Sequence, residues 1–299
     1  MATFVLVHGA FRGGWCWDFV REILESAGHE VYAPDLMGAG DRVNERPASP
    51  NPDGVIGLAD SLVDPGDGVV ETADRVVKSA DRVVEPAVTL DLWAGEIATV
   101  LTTAVRAMKV PLQAVSDREA PHTAVTPVPR RAIVVGHSQG GLVALAASEL
   151  AAQNIERIVL IDSPVPEPGQ SSADLIPEEI RAQFTPPPPD AWLPPTPVTS
   201  SDELSAGLAD WINARLTPTP AHPGYDPLRL SSPAALALPR HYYFCAKTPT
   251  FFPSSFTRAQ FDERGTPYAV LDCGHDAPLT HPELVANVLQ SLVTPATAP

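Results

Sequence analysis

Cysteine is scarce. The 299 residues contain three, Cys16, Cys245 and Cys273, an odd and scattered set whose spacing fits neither a disulfide framework nor a zinc site. They read as small buried apolar side chains. Long hydrophobic runs are also missing: no stretch reaches the ~18 apolar residues that a membrane-spanning helix needs. The first strand starts almost at once, leaving no room for a charged leader with a cleavage site, so the expectation is a cytoplasmic protein with no membrane partner. Positive charge is short as well, with 20 Lys and Arg against 36 Asp and Glu and a formal net charge of -16. That field opposes phosphate backbones and anionic lipid, so no nucleic acid partner is expected. What is present is 44% hydrophobic residues in a chain long enough for a sizeable core, which satisfies a prior of one domain with an inserted lid.

The most informative residues are Gly136-His137-Ser138-Gln139-Gly140. They stand directly behind the apolar run at 132–135 and directly ahead of the helical pattern at 141–147, so a serine falls at a strand-to-helix junction. Glycines two before and two after it let strand and helix approach closely at a sharp turn, which holds the hydroxyl out of the sheet with a helix N-terminus aimed at it. Two further motifs also follow strand-like runs: His8-Gly9-Ala10-Phe11 after 4–7, and Gly274-His275-Asp276 after 268–272. A histidine there can take the serine proton and return it to a leaving group. Read coarsely, strands at 3–7, 30–34, 131–136, 157–162, 240–246 and 268–272 alternate with helices at 15–27, 90–107, 139–153 and 281–292. This alternation predicts an α/β fold with a mostly parallel sheet covered by helices on both faces. Reactive groups then belong at the carboxyl ends of the strands.

Together with Gly13-Gly14-Trp15-Cys16-Trp17, Ala27-Gly28-His29-Glu30-Val31-Tyr32-Ala33-Pro34-Asp35-Leu36 and Gly38-Ala39-Gly40-Asp41-Arg42, these motifs resemble the α/β-hydrolase superfamily. The similarity is to the branch that holds plant methyl-ester esterases, plant hydroxynitrile lyases and small bacterial esterases, and it covers residues 3–42, 131–175 and 240–293. The resemblance implies Ser138 as nucleophile and His275 as base, an oxyanion hole from the N–H groups of Ala10 and Gln139, and no cofactor or metal. His8, Trp15 and Trp17 take structural places beneath the oxyanion loop. The hydroxynitrile lyases carry Gly-His-Lys where this chain has Gly-His-Asp276, which argues against cyanohydrin cleavage.

The third member of a triad is the open point, because no carboxylate occurs from Ala246 through Phe261, where related esterases place one. Asp162, ending the strand at 157–162, is one candidate; a Ser–His dyad is another, and Asp272, Asp276 or a carboxylate of the acidic insertion a third. The domain reading is a core of 1–162 and 240–299, with an acidic insertion at about 43–89, and a lid at 163–239 that holds half of the chain's 34 prolines. The lid offers Leu175, Ile176, Phe184, Trp192, Leu193, Leu208, Trp211 and Ile212 to a ligand; Phe11, Trp192 and Trp211 are the candidate substrate contacts. The expected function is a serine hydrolase for a small to medium apolar ester, lactone or thioester. The alternatives are a lyase, cyclase or isomerase using His275 as base, and a non-catalytic binding protein. No pattern in the chain sets an oligomeric state.

Overall fold

The structure is a computed structural model and describes residues 1–47, 87–107, 131–183 and 185–293. Its elements are β1 (Thr3–Val7), α1 (Asp18–Ser26), β2 (Glu30–Tyr32), α2 (Leu90–Ala107), β3 (Ala132–His137), α3 (Gln139–Ala151), β4 (Ile155–Ile161), α4 (Glu178–Arg181), β5 (Trp192–Leu193), α5 (Ala206–Asn213), β6 (Thr219–Pro220), α6 (Pro233–Leu236), β7 (Arg240–Cys245), α7 (Pro253–Arg264), β8 (Ala269–Leu271), α8 (Ala277–Thr280) and α9 (Pro282–Ser291). Most of the acidic insertion (48–86), the connection at 109–130 and Phe184 lie outside the described residues.

Six strands form one sheet in the order β2-β1-β3-β4-β7-β8, and every neighbouring pair runs parallel. The apolar runs of the central strands β1 and β3, and most of β4, are buried on both faces. Val5, Val7, Val134, Ile158 and Leu160 turn to one side, where they meet Leu90, Trp93, Ile97 and Leu101 of α2 and Leu142 of α3. Phe4, Leu6, Ile133, Val135, Val159 and Ile161 turn to the other, against Val20 and Leu24 of α1 and Val285 and Leu289 of α9. Period-two alternation thus divides one continuous sheet between two cores. From β1 the chain steps outward to β2 and then returns to place β3 on β1's other side. The strand order therefore reverses between β1 and β3, and the loops leaving their carboxyl ends part there and open a crevice.

Helix α7 lies in a stretch the strand-and-helix pattern leaves blank, although its boundaries are written in the chain. Pro253 occupies its first turn, where a missing N–H costs nothing, and Gly265 closes it with φ +65. In the segment expected as a lid, the helical patterns shorten to α4 and α5. β5 and β6 pair there as a two-stranded antiparallel ribbon. Among the described residues no helix is long and apolar enough to cross a membrane.

Candidate active site

Ser138 stands between β3 and α3 with φ 53 and ψ -130, and the packing around the turn shows why glycines flank it. A Cβ on Gly136 would sit 2.3 Å from the Cα of Gly141, and one on Gly140 would sit 2.3 Å from the Val7 carbonyl oxygen. The elbow is tied to the next strand: the Ser138 N–H donates to the Ile161 carbonyl (3.0 Å), and the Ser163 hydroxyl donates to the Ser138 carbonyl (2.6 Å). Three non-glycine residues among those described have positive φ, namely Phe11 (64), Ser138 (53) and Asp162 (46). All three line one cavity of about 300 Å³ together with Ala10, Gln139 and His275. Each such backbone costs of order 1–3 kcal/mol, so strain is concentrated where the candidate chemistry is.

Asp162 is only 2% exposed, and all its bonding capacity is directed inward. Its Oδ2 lies 2.5 Å from His275 Nδ1 and accepts from the Thr248 hydroxyl at 2.6 Å. Its Oδ1 accepts from the Cys245 N–H at 3.1 Å. Burial pushes this carboxyl up, but the bonds from His275, Thr248 and Cys245 outweigh it and hold Asp162 below the ordinary aspartate range. A carboxylate at that place suits the His275 tautomer that carries its proton on Nδ1.

The two other acid candidates face elsewhere. Asp276 accepts from Arg12 Nη2 at 2.9 and 3.2 Å; burial raises its carboxyl, and the charges of Arg12 and then His275 bring it below the usual range. Asp272 is 90% exposed, 3.3 Å from Lys247.

Further residues hold His275 that the sequence reading did not single out. His137 Nε2 donates to the His275 carbonyl at 2.7 Å. His137 itself is pushed down to about 4, first by burial and then by the charge of His275, so it stays a neutral donor. The Phe252 ring lies 4.5 Å from the His275 ring. Arg12 and Asp276 join the loop after β1 to the histidine loop across 264 positions of sequence. His137 has a sequence signal, being next to Ser138 in the elbow; Thr248 and Arg12 have none.

Ala10 and Gln139 stand at the cavity wall beside Ser138, and among the described residues no backbone acceptor takes up either N–H. His8 underpins that loop, donating from Nδ1 to the Gly9 carbonyl (2.9 Å) and accepting the Leu36 N–H at Nε2 (3.1 Å). Trp17 is fully buried in the core and Trp15 packs against it.

The ligand wall differs from expectation in a definite way. Phe11, Ile176 and Leu193 line the cavity, whereas Trp192 and Trp211 do not. Trp211 stacks edge-on against Trp15 at 5.4 Å with the Arg215 guanidinium over its ring. Trp192 lies over Gly38, where an added Cβ would be 2.4 Å from its ring, with Arg46 on its face at 3.9 Å. Both have better apolar partners in the body of the protein than a ligand would offer, and Leu175, Leu208 and Ile212 are likewise turned into the protein.

The cysteines are all buried and free, as small apolar side chains would be, but two are not scattered. Parallel pairing of β7 with β8 brings Cys245 and Cys273 to 3.6 Å between sulfurs. A larger cleft of about 530 Å³, bounded by Trp15, Asp35 and Arg215, contains none of the candidate catalytic residues. Among the described residues no cluster of three His, Cys, Asp or Glu side chains is arranged to hold a metal.

A sequence profile described as the alpha/beta hydrolase family matches residues 4–288. The chain is 26% identical over 304 residues to the carbendazim hydrolyzing esterase of Nocardioides sp. (strain SG-4G), covering 98% of this chain and 100% of that one. It is 62% identical to methyl jasmonate esterase 1 of Vitis vinifera, but over 37 residues only, 12% of this chain and 14% of the relative. Among solved structures, an extracellular alpha/beta-hydrolase from a Paenibacillus species superposes with a TM-score of 0.60 at 20% identity, over 97% of this chain and 98% of that one. With a profile match running from β1 into α9, a parallel sheet of the expected order, and Ser138 on a strained strand-to-helix turn, the chain belongs to the alpha/beta hydrolase family.

Proposed function

We propose that the protein is a cofactor-independent serine hydrolase that cleaves a small to medium apolar ester, lactone or thioester. The observation that carries this reading is the contact of His275 Nδ1 with Asp162 in the same cavity that exposes Ser138. In this reading Ser138 Oγ attacks the carbonyl carbon while its proton passes to His275 Nε2, and the carbonyl oxygen becomes an oxyanion held by the N–H groups of Ala10 and Gln139. The tetrahedral intermediate collapses as His275 returns the proton to the departing alcohol or thiol, which leaves an acyl-serine. Water, deprotonated by His275, then releases the acid. Segment 163–239 acts as the lid, since Ser172, Ala173, Ile176, Leu193 and Thr219 supply cavity wall.

Full-length likeness to a protein named as an esterase supports ester cleavage. A missing acid favoured the lyase, cyclase or isomerase alternative, and the contact of Asp162 with His275 supports the hydrolase reading instead. The test is labelling with a fluorophosphonate probe followed by peptide mapping. The expected result is stoichiometric label on Ser138, abolished in Ser138→Ala. Absence of label on folded wild-type protein overturns the reading.

A further inference from the structure

Two residues that line the candidate cavity carry a buried polar atom without a hydrogen-bond partner. Ser254 is 1% exposed, stands in the first turn of α7 and lines the cavity; its hydroxyl has no partner. The side-chain carbonyl oxygen of Gln139 is also buried and unpartnered. A buried polar group left unsatisfied costs roughly 1–3 kcal/mol, and native proteins carry few of them. Two at one mostly apolar cavity, beside the nucleophile, mark where a ligand supplies the missing partner.

The chemistry of that partner follows from the atoms. An amide oxygen only accepts, so it calls for an N–H or O–H on the ligand; a serine hydroxyl can accept the same kind of group or donate to it. Charge is excluded on other grounds. Among the described lining residues no Lys or Arg is present, and the Asp162 carboxylate is taken up by His275, Thr248 and Cys245. Among the described lining residues neither an anionic nor a cationic substrate finds a free counter-ion. The rest of the wall is mostly apolar, with Phe11, Pro164, Ile176, Leu193, Pro220 and Phe252 beside the polar Ser172, Thr219 and Tyr225, and about 300 Å³ admits one ring or a short chain.

We propose that the substrate is a neutral ester whose apolar body carries one hydrogen-bond donor, O–H or N–H, and that Gln139 and Ser254 read this group. The proposal rests on the serine-hydrolase reading of the same site, and the experiment separates the two. Wild-type kcat/KM is measured on methyl phenylacetate and on its 2-, 3- and 4-hydroxy derivatives, which carry the donor to three places in the cavity. The same four compounds are titrated calorimetrically into Ser138→Ala.

The expected result is that one hydroxy derivative is favoured over the parent by at least about tenfold, and that Ser254→Ala and Gln139→Leu each reduce that ratio below about threefold. Gln139→Leu keeps the backbone N–H, and the ratio between two substrates cancels any general loss of activity. Equal kcat/KM on all four esters, or a preference that survives both substitutions, overturns the proposal. If the wild type cleaves none of them while Ser138→Ala still binds one hydroxy derivative preferentially, the hydrolase reading fails and donor recognition stands. If binding shows no preference either, donor recognition fails.

Discussion

Replacing Asp162 by asparagine alters one atom of a buried side chain and should reverse the proton arrangement of the site. The Cys245 N–H donates to Oδ1 at 3.1 Å, so the asparagine carbonyl must occupy that position. Its NH₂ then replaces Oδ2, where the His275 ring nitrogen stands at 2.5 Å and the Thr248 hydroxyl at 2.6 Å. Thr248 can rotate from donor to acceptor without cost. His275 cannot adapt in that way: to accept from the new NH₂ its Nδ1 must lose the proton, which moves to Nε2, the nitrogen needed as base toward Ser138. The wrong tautomer, together with loss of the carboxylate that stabilises imidazolium, cost about 10⁴ in the serine-protease precedent, or about 5 kcal/mol of transition-state free energy. Stability should change by less than about 1 kcal/mol, because volume is kept and a desolvated charge is removed. The assay is p-nitrophenyl acetate hydrolysis across pH 5–9, with urea unfolding as control, and Asp276→Asn and Asp272→Asn run beside it. The expected order is a loss of at least about 10³ for Asp162→Asn, under about tenfold for Asp276→Asn, and none for Asp272→Asn. Retention of more than a tenth of wild-type activity by Asp162→Asn refutes this reasoning and returns the site to a dyad.

Arg12→Met should strand the Asp276 carboxylate in a partly buried position (side-chain exposures 11% and 21% for the pair) and lower stability by about 3 kcal/mol, with Arg12→Met/Asp276→Leu recovering part of it; equal stability of the single and double variants in urea melts would contradict this. Trp211→Ala should cost about 3 kcal/mol, through lost packing on Trp15 and Phe19, and leave acyl chain-length preference unchanged; a shifted preference would return it to the ligand wall. Stability should also fall as pH drops from about 6.5 to about 4. In that window the unfolded chain protonates His137 while the folded one, whose imidazole is pushed down to about 4, does not. The loss approaches about 3 kcal/mol below pH 4 and none remains above 6.5, and His137→Gln should flatten that slope in urea titrations at pH 7, 5.5 and 4.5.

How much could be read from the chain depended on the distance over which each signal acts. The strand-helix alternation and the elbow are local, because a sharp turn between strand and helix needs small residues at 136 and 140 wherever the rest of the protein lies. Ser138, His275 and the His8-Gly9-Ala10-Phe11 loop were legible for that reason. Their convergence was legible too, since a parallel sheet puts the carboxyl ends of all its strands on one side. The choice among Asp162, Asp272 and Asp276 was not. It depends on the register of β4 against β7, which brings the Cys245 N–H to Asp162, and on Arg12, 264 positions away, taking Asp276.

By itself the sequence determined that a serine would stand at a sharp strand-to-helix junction, with a histidine following the last strand. Those are consequences of short-range sterics and hydrophobic period, which every local segment carries with it. Tertiary structure alone decided that Trp192 and Trp211 turn to the body of the protein, that Cys245 and Cys273 meet, and that the Gln139 amide and Ser254 hydroxyl face a cavity without partners. An apolar side chain gains from burial against any apolar surface, and a polar one is satisfied by any donor or acceptor in reach. Composition therefore states that such groups need partners, and only the packing of distant segments names them.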